Sequence, residues 1–216
     1  MQNSLERLTR IIAIRHGETA WNVDTRIQGQ LDITLNDKGH WQAAMAADAL
    51  ASEAIDVIVS SDLARAYETA LAIANPHGLT VHTDNGLRER EFGFFQGKTY
   101  AEIESQYPEM ALKWRKREPD FAPGGGESLL VFRERVAQCV SRLAQQHAGK
   151  NLVIVSHGGV MDMIYRQATG LDVQAPRTWQ LGNASINRVL WNGEHLSLVG
   201  WSDTRHLNQG LDEQYA

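Results

Sequence analysis

Arg15 and His16 end a short apolar run, Ile11-Ile12-Ala13-Ile14, and Gly17-Glu18-Thr19 follow them. A neutral imidazole is a good nucleophile toward phosphorus, and its reference pKa of about 6.5 leaves a useful neutral fraction at neutral pH. The guanidinium beside it can grip phosphate oxygens as a fork, and a glycine lets backbone approach a ligand closely. A second pair, His157-Gly158, ends the apolar run Leu152-Val153-Ile154-Val155-Ser156 and is followed by Gly159. A helix opening there presents free N–H groups, that of Gly158 among them, and a positive dipole end that favours an anion. His157 can donate to the same anion. Taken singly, either histidine reads as a buried ring satisfied by backbone; together, with arginines nearby, they point to chemistry on a phosphate.

Two further segments add charge of both signs. In Ser60-Ser61-Asp62-Leu63-Ala64-Arg65-Ala66, Arg65 falls in the first turn of a helix that directly follows a strand. Cations avoid helix N-termini, so an anion there would neutralise both. The bland reading is a surface arginine paired with Asp62, worth a few tenths of a kcal/mol. In Leu87-Arg88-Glu89-Arg90-Glu91-Phe92-Gly93, either Glu89 or Glu91 could protonate a leaving alkoxide. A carboxyl held near phosphate anions and apolar rings has its pKa raised for that task. Spacing alone does not choose between the two, and a solvated charge run is the usual fate of alternating Arg and Glu.

These residues need elements to hold them. Short, apolar, β-branched runs at 11–15, 56–60, 79–83 and 152–156 read as buried strands. Between them lie helical patterns at 38–51, with Trp41, Met45 and Leu50 as larger apolar anchors, and at 62–74, with N-cap oxygens in Ser60-Ser61-Asp62. Two more helices are expected at 128–147, with Ser128 near the cap, and at 159–168. Ile186–Trp191 and His195–Val199 flank Asn192-Gly193, a hairpin signal. The pattern predicts an α/β fold: a three-layer α/β/α sandwich whose mostly parallel sheet carries an antiparallel edge. Ligands bind such sheets beyond the carboxyl ends of the strands, where Arg15-His16 and His157 fall.

The aromatic segment 86–126, with its Pro123-Gly124-Gly125-Gly126 loop, reads as a small helical and loop insertion covering that edge. The chain, 216 residues and 43% hydrophobic, suits a single domain over 1–216. A net charge of -5 argues against nucleic acid as a partner, so an anion site must be a local basic pocket. A lone cysteine, Cys139, and the absence of a long apolar N-terminal run suit a cytoplasmic protein that does not associate with membranes. His-x-His, His-Glu-x-x-His and Cys-x-x-Cys are absent, Gly124-Gly125-Gly126-Glu127-Ser128 lacks the Lys-Ser/Thr of a P-loop, and no Gly-x-Ser-x-Gly occurs. No metal and no cofactor is expected.

The four segments Arg15-His16-Gly17-Glu18-Thr19, Ser61-Asp62-Leu63-Ala64-Arg65-Ala66 with Thr69-Ala70, Leu87-Arg88-Glu89 with Phe92-Gly93, and Ser156-His157-Gly158-Gly159 together resemble the histidine phosphatase superfamily. The likeness runs over about residues 10–207, in the family's order, and is nearest the branch of cofactor-dependent phosphoglycerate mutases and their small phosphatase relatives. It implies that His16 becomes phosphohistidine, that Arg15, Arg65 and His157 complete the phosphate pocket, and that Glu89, rather than Glu91, is the proton donor. Asn22 and Gln28 match positions that line the family's substrate entrance.

The resemblance implies a phosphatase acting on a phosphorylated small molecule. The compact insertion and the ending Trp201-Ser202-Asp203-Thr204-Arg205-His206-Leu207, with only a short polar tail after it, favour that over a mutase. Phe95-Gln96-Gly97 keeps mutase-type phosphoryl transfer as an alternative, and an inactive relative serving as a binding module is a second. Lys113-Trp114-Arg115-Lys116-Arg117 is either a solvated helix face or an attractor for a second anionic group. Which metabolite is bound, and in what oligomeric state, the residues do not say.

Overall fold

The computed structural model describes residues 8–208. The ends of the expected 1–216 unit, including the polar tail from 209 on, lie outside the described residues. In chain order the elements are β1 (Thr9–Arg15), α1 (Ala20–Val23), α2 (Asp37–Leu50), β2 (Val57–Ser60), α3 (Ala64–His77), β3 (Val81–Thr83), α4 (Tyr100–Gln106), α5 (Pro108–Arg115), α6 (Leu129–Gln146), β4 (Asn151–Ser156), α7 (Gly158–Thr169), β5 (Ile186–Trp191) and β6 (Leu196–Asp203).

The strands form one sheet in the order β3-β2-β4-β1-β5-β6. The first four are parallel; β5 runs antiparallel to β1, and β6 antiparallel to β5. Alternate side chains of the central strands enter different layers, as the two-residue period of a strand requires. Ile11, Ala13, Val59, Leu152 and Ile154 pack against Phe132, Val136, Val140 and Leu143 of α6 and Val160 and Ile164 of α7. Ile12, Ile14, Ile58, Val153 and Val155 pack on the other face against Ala47 and Leu50 of α2 and Ala66, Ala70 and Ile73 of α3. This is the expected three-layer sandwich with an antiparallel edge.

Two local expectations are corrected. Trp41 is not an anchor of α2: it is 40% exposed, and the buried face is Ala43, Ala46, Ala47 and Leu50. Small side chains let α2 lie close to its neighbours, so the bulky ring is turned outward. Nor do the oxygens of Ser60, Ser61 or Asp62 cap α3, whose N-cap is Leu63. The N–H of Ala64 donates instead to Asp32 Oδ1 at 2.7 Å, from a loop 32 residues upstream. Ser61 Oγ accepts from Leu63 N, and Asp62 pairs with Arg88.

Residues 85–125 carry α4, α5 and three 3₁₀ turns around a small cluster of their own, in which Phe95, Ile103 and Ala111 are buried beside Phe92, Tyr107 and Trp114. The cluster also takes Ile27, and two backbone bonds, Gly97 N to Ile27 O and Ile27 N to Lys98 O, tie the segment to the 26–31 loop. Gly93 and Gly124 meet backbone to backbone; a Cβ on Gly93 would lie 1.8 Å from Gly124 O, and both have positive φ. That contact explains the glycine-rich loop. The basic run from Lys113 is partly absorbed here: Arg115 binds Glu104 and the Tyr100 hydroxyl, and Arg117 binds Asp162.

Candidate active site

Parallel register levels the carboxyl ends of three strands. Arg15 of β1 pairs with Ser156 of β4, and Ser60 of β2 with Val155. The next residues continue the ladder: His16 N donates to Ser156 O and Ser61 N to Val155 O, each at 2.9 Å. His16, Ser61 and His157 therefore leave neighbouring strands at one height. The rings of His16 and His157 have centroids 5.2 Å apart, in an edge-on arrangement.

His16 is 3% exposed. Its Nδ1 lies 2.6 Å from Gly17 O. A carbonyl only accepts, so Nδ1 carries the proton and Nε2 keeps its lone pair. Burial, then the charges of Arg65 and Arg15, push the ring's pKa well below the usual histidine value. His157 is fully buried and shifted the same way, by burial first and then Arg65. Its Nε2 is 2.8 Å from Ser61 Oγ, and its Nδ1 has no partner among the described residues.

The two arginines are held by backbone oxygens rather than carboxylates. Arg65, 1% exposed, donates from Nη1 to Leu31 O and from Nη2 to Gly29 O, both at 2.8 Å. Burial lowers its pKa to about 10, so it remains a cation at neutral pH. Arg15 Nη1 donates to Leu181 O; burial again lowers the pKa, with Glu89 acting in the opposite direction. The Nε atoms of both arginines are buried without a partner.

Glu89 borders the same space. Its Oε2 accepts from Gly159 N of α7 at 2.9 Å and its Oε1 from Arg90 N at 2.7 Å. Its carbonyl accepts from Gln30 Nε2 and Arg135 Nη2, and the buried Arg90 donates to Glu127 O and Phe121 O. Glu91 is exposed, with its backbone N–H and carbonyl both bound to Glu127, so geometry separates the two carboxylates that spacing left open.

The structure thus gathers Arg15, His16, Arg65, Glu89, His157 and Gly158. Asn22 stands at the rim: its Oδ1 accepts from Thr19 N in the cap of α1 and from Asn183 Nδ2, which also donates to His16 O. Gln28 is buried beside the loop carbonyls that hold Arg65, and its Oε1 has no partner. Sequence reasoning missed Asn183, Arg135 and the 171–185 segment. Arg177, Trp179 and Leu181 of that segment line, with Arg15, Gly158 and Gly159, a cleft of about 600 Å³. Nothing in their spacing marks them, since the segment has no periodicity.

Two donors and a ring nitrogen, buried, unpaired and placed around a neutral imidazole, make a receptor for a tetrahedral oxyanion. The family model of the histidine phosphatase superfamily (branch 1) matches residues 11–204. Phosphoglycerate mutase-like protein 4 of Arabidopsis thaliana is 39% identical over 203 residues, 92% of this chain and 87% of that protein. The metal-independent phosphoserine phosphatase of the same plant is 38% identical over 207 residues, 93% of this chain and 84% of that protein. The crystal structure of phosphoserine phosphatase from Entamoeba histolytica in complex with 3-phosphoglyceric acid superimposes with a TM-score of 0.83 at 32% identity, covering 92% of this chain and 99% of that one.

Proposed function

Because the chain belongs to the histidine phosphatase superfamily, we propose that it is a phosphatase that hydrolyses a small-molecule phosphomonoester through a phosphohistidine on His16, without metal or cofactor. The observation that carries the reading is the group of buried, unpaired nitrogens Arg15 Nε, Arg65 Nε and His157 Nδ1 about a neutral His16. A buried donor left unpaired costs about 1–3 kcal/mol, and a phosphoryl group satisfies several at once.

In the first step His16 Nε2 attacks phosphorus in line, and the ester P–O bond breaks as the leaving oxygen takes a proton from Glu89. Water then attacks the phosphohistidine, giving its proton to Glu89, and the P–N bond breaks to release phosphate. Two easier displacements replace one hard one. Negative charge on the phosphoryl oxygens is met by Arg15, Arg65 and His157, positioned before the reaction begins. Ser61 donating to His157 Nε2 leaves Nδ1–H for a phosphoryl oxygen. Gly158 N, Asn22 and Gln28 contact the bound substrate, and residues 86–126 cover it within one domain spanning 1–216. A mutase reading has the name of the 39%-identical relative in its favour; turnover of 3-phosphoglycerate that requires a bisphosphoglycerate primer would select it.

Replacement His16→Ala tests the proposal. Turnover of p-nitrophenyl phosphate and acid-labile, alkali-stable phosphate on the protein should both vanish. Turnover that survives the replacement removes His16 as the nucleophile.

A further inference from the structure

The catalytic groups account for the phosphoryl half of a substrate only. The cleft of about 600 Å³ extends from Arg15 and the start of α7 to the 171–185 segment, and its far side carries Arg177. Among the described residues Arg177 has neither a hydrogen bond nor an ion pair, although every other arginine lining the site has at least two backbone or carboxylate partners or, for Arg15, a carbonyl. Its charge is felt as repulsion at Arg15 and again at Arg117, which places it within electrostatic reach of the phosphate pocket.

The segment that presents Arg177 is held rather than loose. Arg166, buried in α7 and bound to Asp162, donates to Asp172 O and to Ala175 O at 2.9 Å. Trp179 stacks on Tyr165 with centroids 4.0 Å apart and lies under the Arg166 guanidinium, and Trp201 Nε1 donates to Gln180 O. Arg15 itself holds the segment through Leu181 O. Backbone fixed at residues 172, 175, 180 and 181 holds the exposed Arg177 at the wall of the cleft that it shares with Arg15.

We propose that Arg177 is a specificity-determining residue that binds a carboxylate on the leaving-group side of the phosphomonoester. A lone guanidinium fork matches a monoanionic carboxylate through two parallel N–H···O bonds. A second phosphoryl group carries nearly two negative charges at neutral pH, whereas Arg177 is the one cation that the 171–185 segment adds to the cleft. The cleft is shared with Arg15, so the two anionic ends of one small molecule reach their cations together, and the preformed wall spares the ordering cost of a mobile loop. Arg177 acts in binding and not on the reacting atoms.

The assignment rests on the phosphatase reading, and the experiment separates the two. Phosphate release from p-nitrophenyl phosphate tests the reading alone. Phosphoserine and phosphoethanolamine differ only in a carboxylate, so the ratio of their kcat/KM values isolates the Arg177 contribution. The unsubstituted chain should prefer phosphoserine, and R177M should lower that ratio by about 10- to 100-fold, through KM more than kcat. R177K should recover part of it. The same ratio taken from Kd values on the H16A background reads the contribution without turnover. No preference for phosphoserine in the unsubstituted chain, or an unchanged ratio in R177M, overturns the proposal.

Discussion

His16 is kept neutral by burial and by the charges of Arg65 and Arg15; the bond from Nδ1 to its own neighbour's carbonyl acts in the opposite direction on the pKa, and its part is to fix the tautomer that leaves Nε2 free. In the proposed reaction nucleophile and phosphate clamp are thus one device, because the cations assigned to the phosphoryl group also keep the ring deprotonated. Glu89 is set apart from Glu91 by the N–H of Gly159, not by its own sequence surroundings. E89Q should lower kcat about 10²- to 10⁴-fold on alkyl phosphates and by much less on p-nitrophenyl phosphate, whose leaving group needs little help. Equal losses on both, measured by phosphate release, would take the proton-donor role from Glu89. All of these residue types were visible in the chain; Glu89 was preferred to Glu91 only through the family resemblance, not from spacing, and the tautomer of His16 was not visible, since it depends on where folding sets the Gly17 carbonyl.

Helix ends do much of the positioning. The N-terminus of α7 supplies the Gly159 N–H to Glu89, and a Cβ at residue 159 would lie 2.1 Å from Glu89 Oε1. G159A should therefore reduce kcat toward the level of E89Q while leaving the fold intact by circular dichroism; near-full activity in G159A would show that the carboxylate has room to move. The N-terminus of α3 is capped from afar by Asp32, in the loop whose Gly29 and Leu31 carbonyls hold Arg65. D32A should cost about 1 kcal/mol in urea denaturation and weaken phosphate binding through Arg65. An unchanged midpoint would mean that water serves the cap equally well. The sequence offered Ser60-Ser61-Asp62 for this cap, and the error is instructive: local oxygens were claimed by Leu63 N and Arg88, and a distant one took their place.

Across the whole molecule, the site's chemistry is linked to stability. His16 and His157 are buried and neutral, with folded pKa values well below 6.5, whereas the unfolded rings titrate near 6.5. Between those values the unfolded chain binds more protons, so stability is complete above about 6.5 and falls with decreasing pH, by up to ~1.4 kcal/mol per pH unit for each ring. Asp203, held at about 2 by Arg205, and Asp62 and Asp84, lowered by Arg88 and Arg142, lose their contribution only below the ordinary carboxylate range. The interval from pH 6.5 to about 4.5 thus belongs to the histidines. Urea midpoints should decline across it, and less steeply in H16A; identical slopes in the two proteins would contradict the linkage. Among the described residues no helix is long and apolar enough to cross a membrane.

The chain alone determined the strands, the four long helices, their three-layer stacking and the choice of Arg15, His16, Arg65 and His157 as candidate-site residues, because periodicity of burial and residue chemistry are local properties. Tertiary structure decided the rest: the height at which three strand ends meet, the capping of α3 by Asp32, the outward turn of Trp41 and the presentation of Arg177. Each depends on a contact between segments far apart in sequence, and such contacts leave no trace in spacing until backbone hydrogen bonds and close packing bring the segments together.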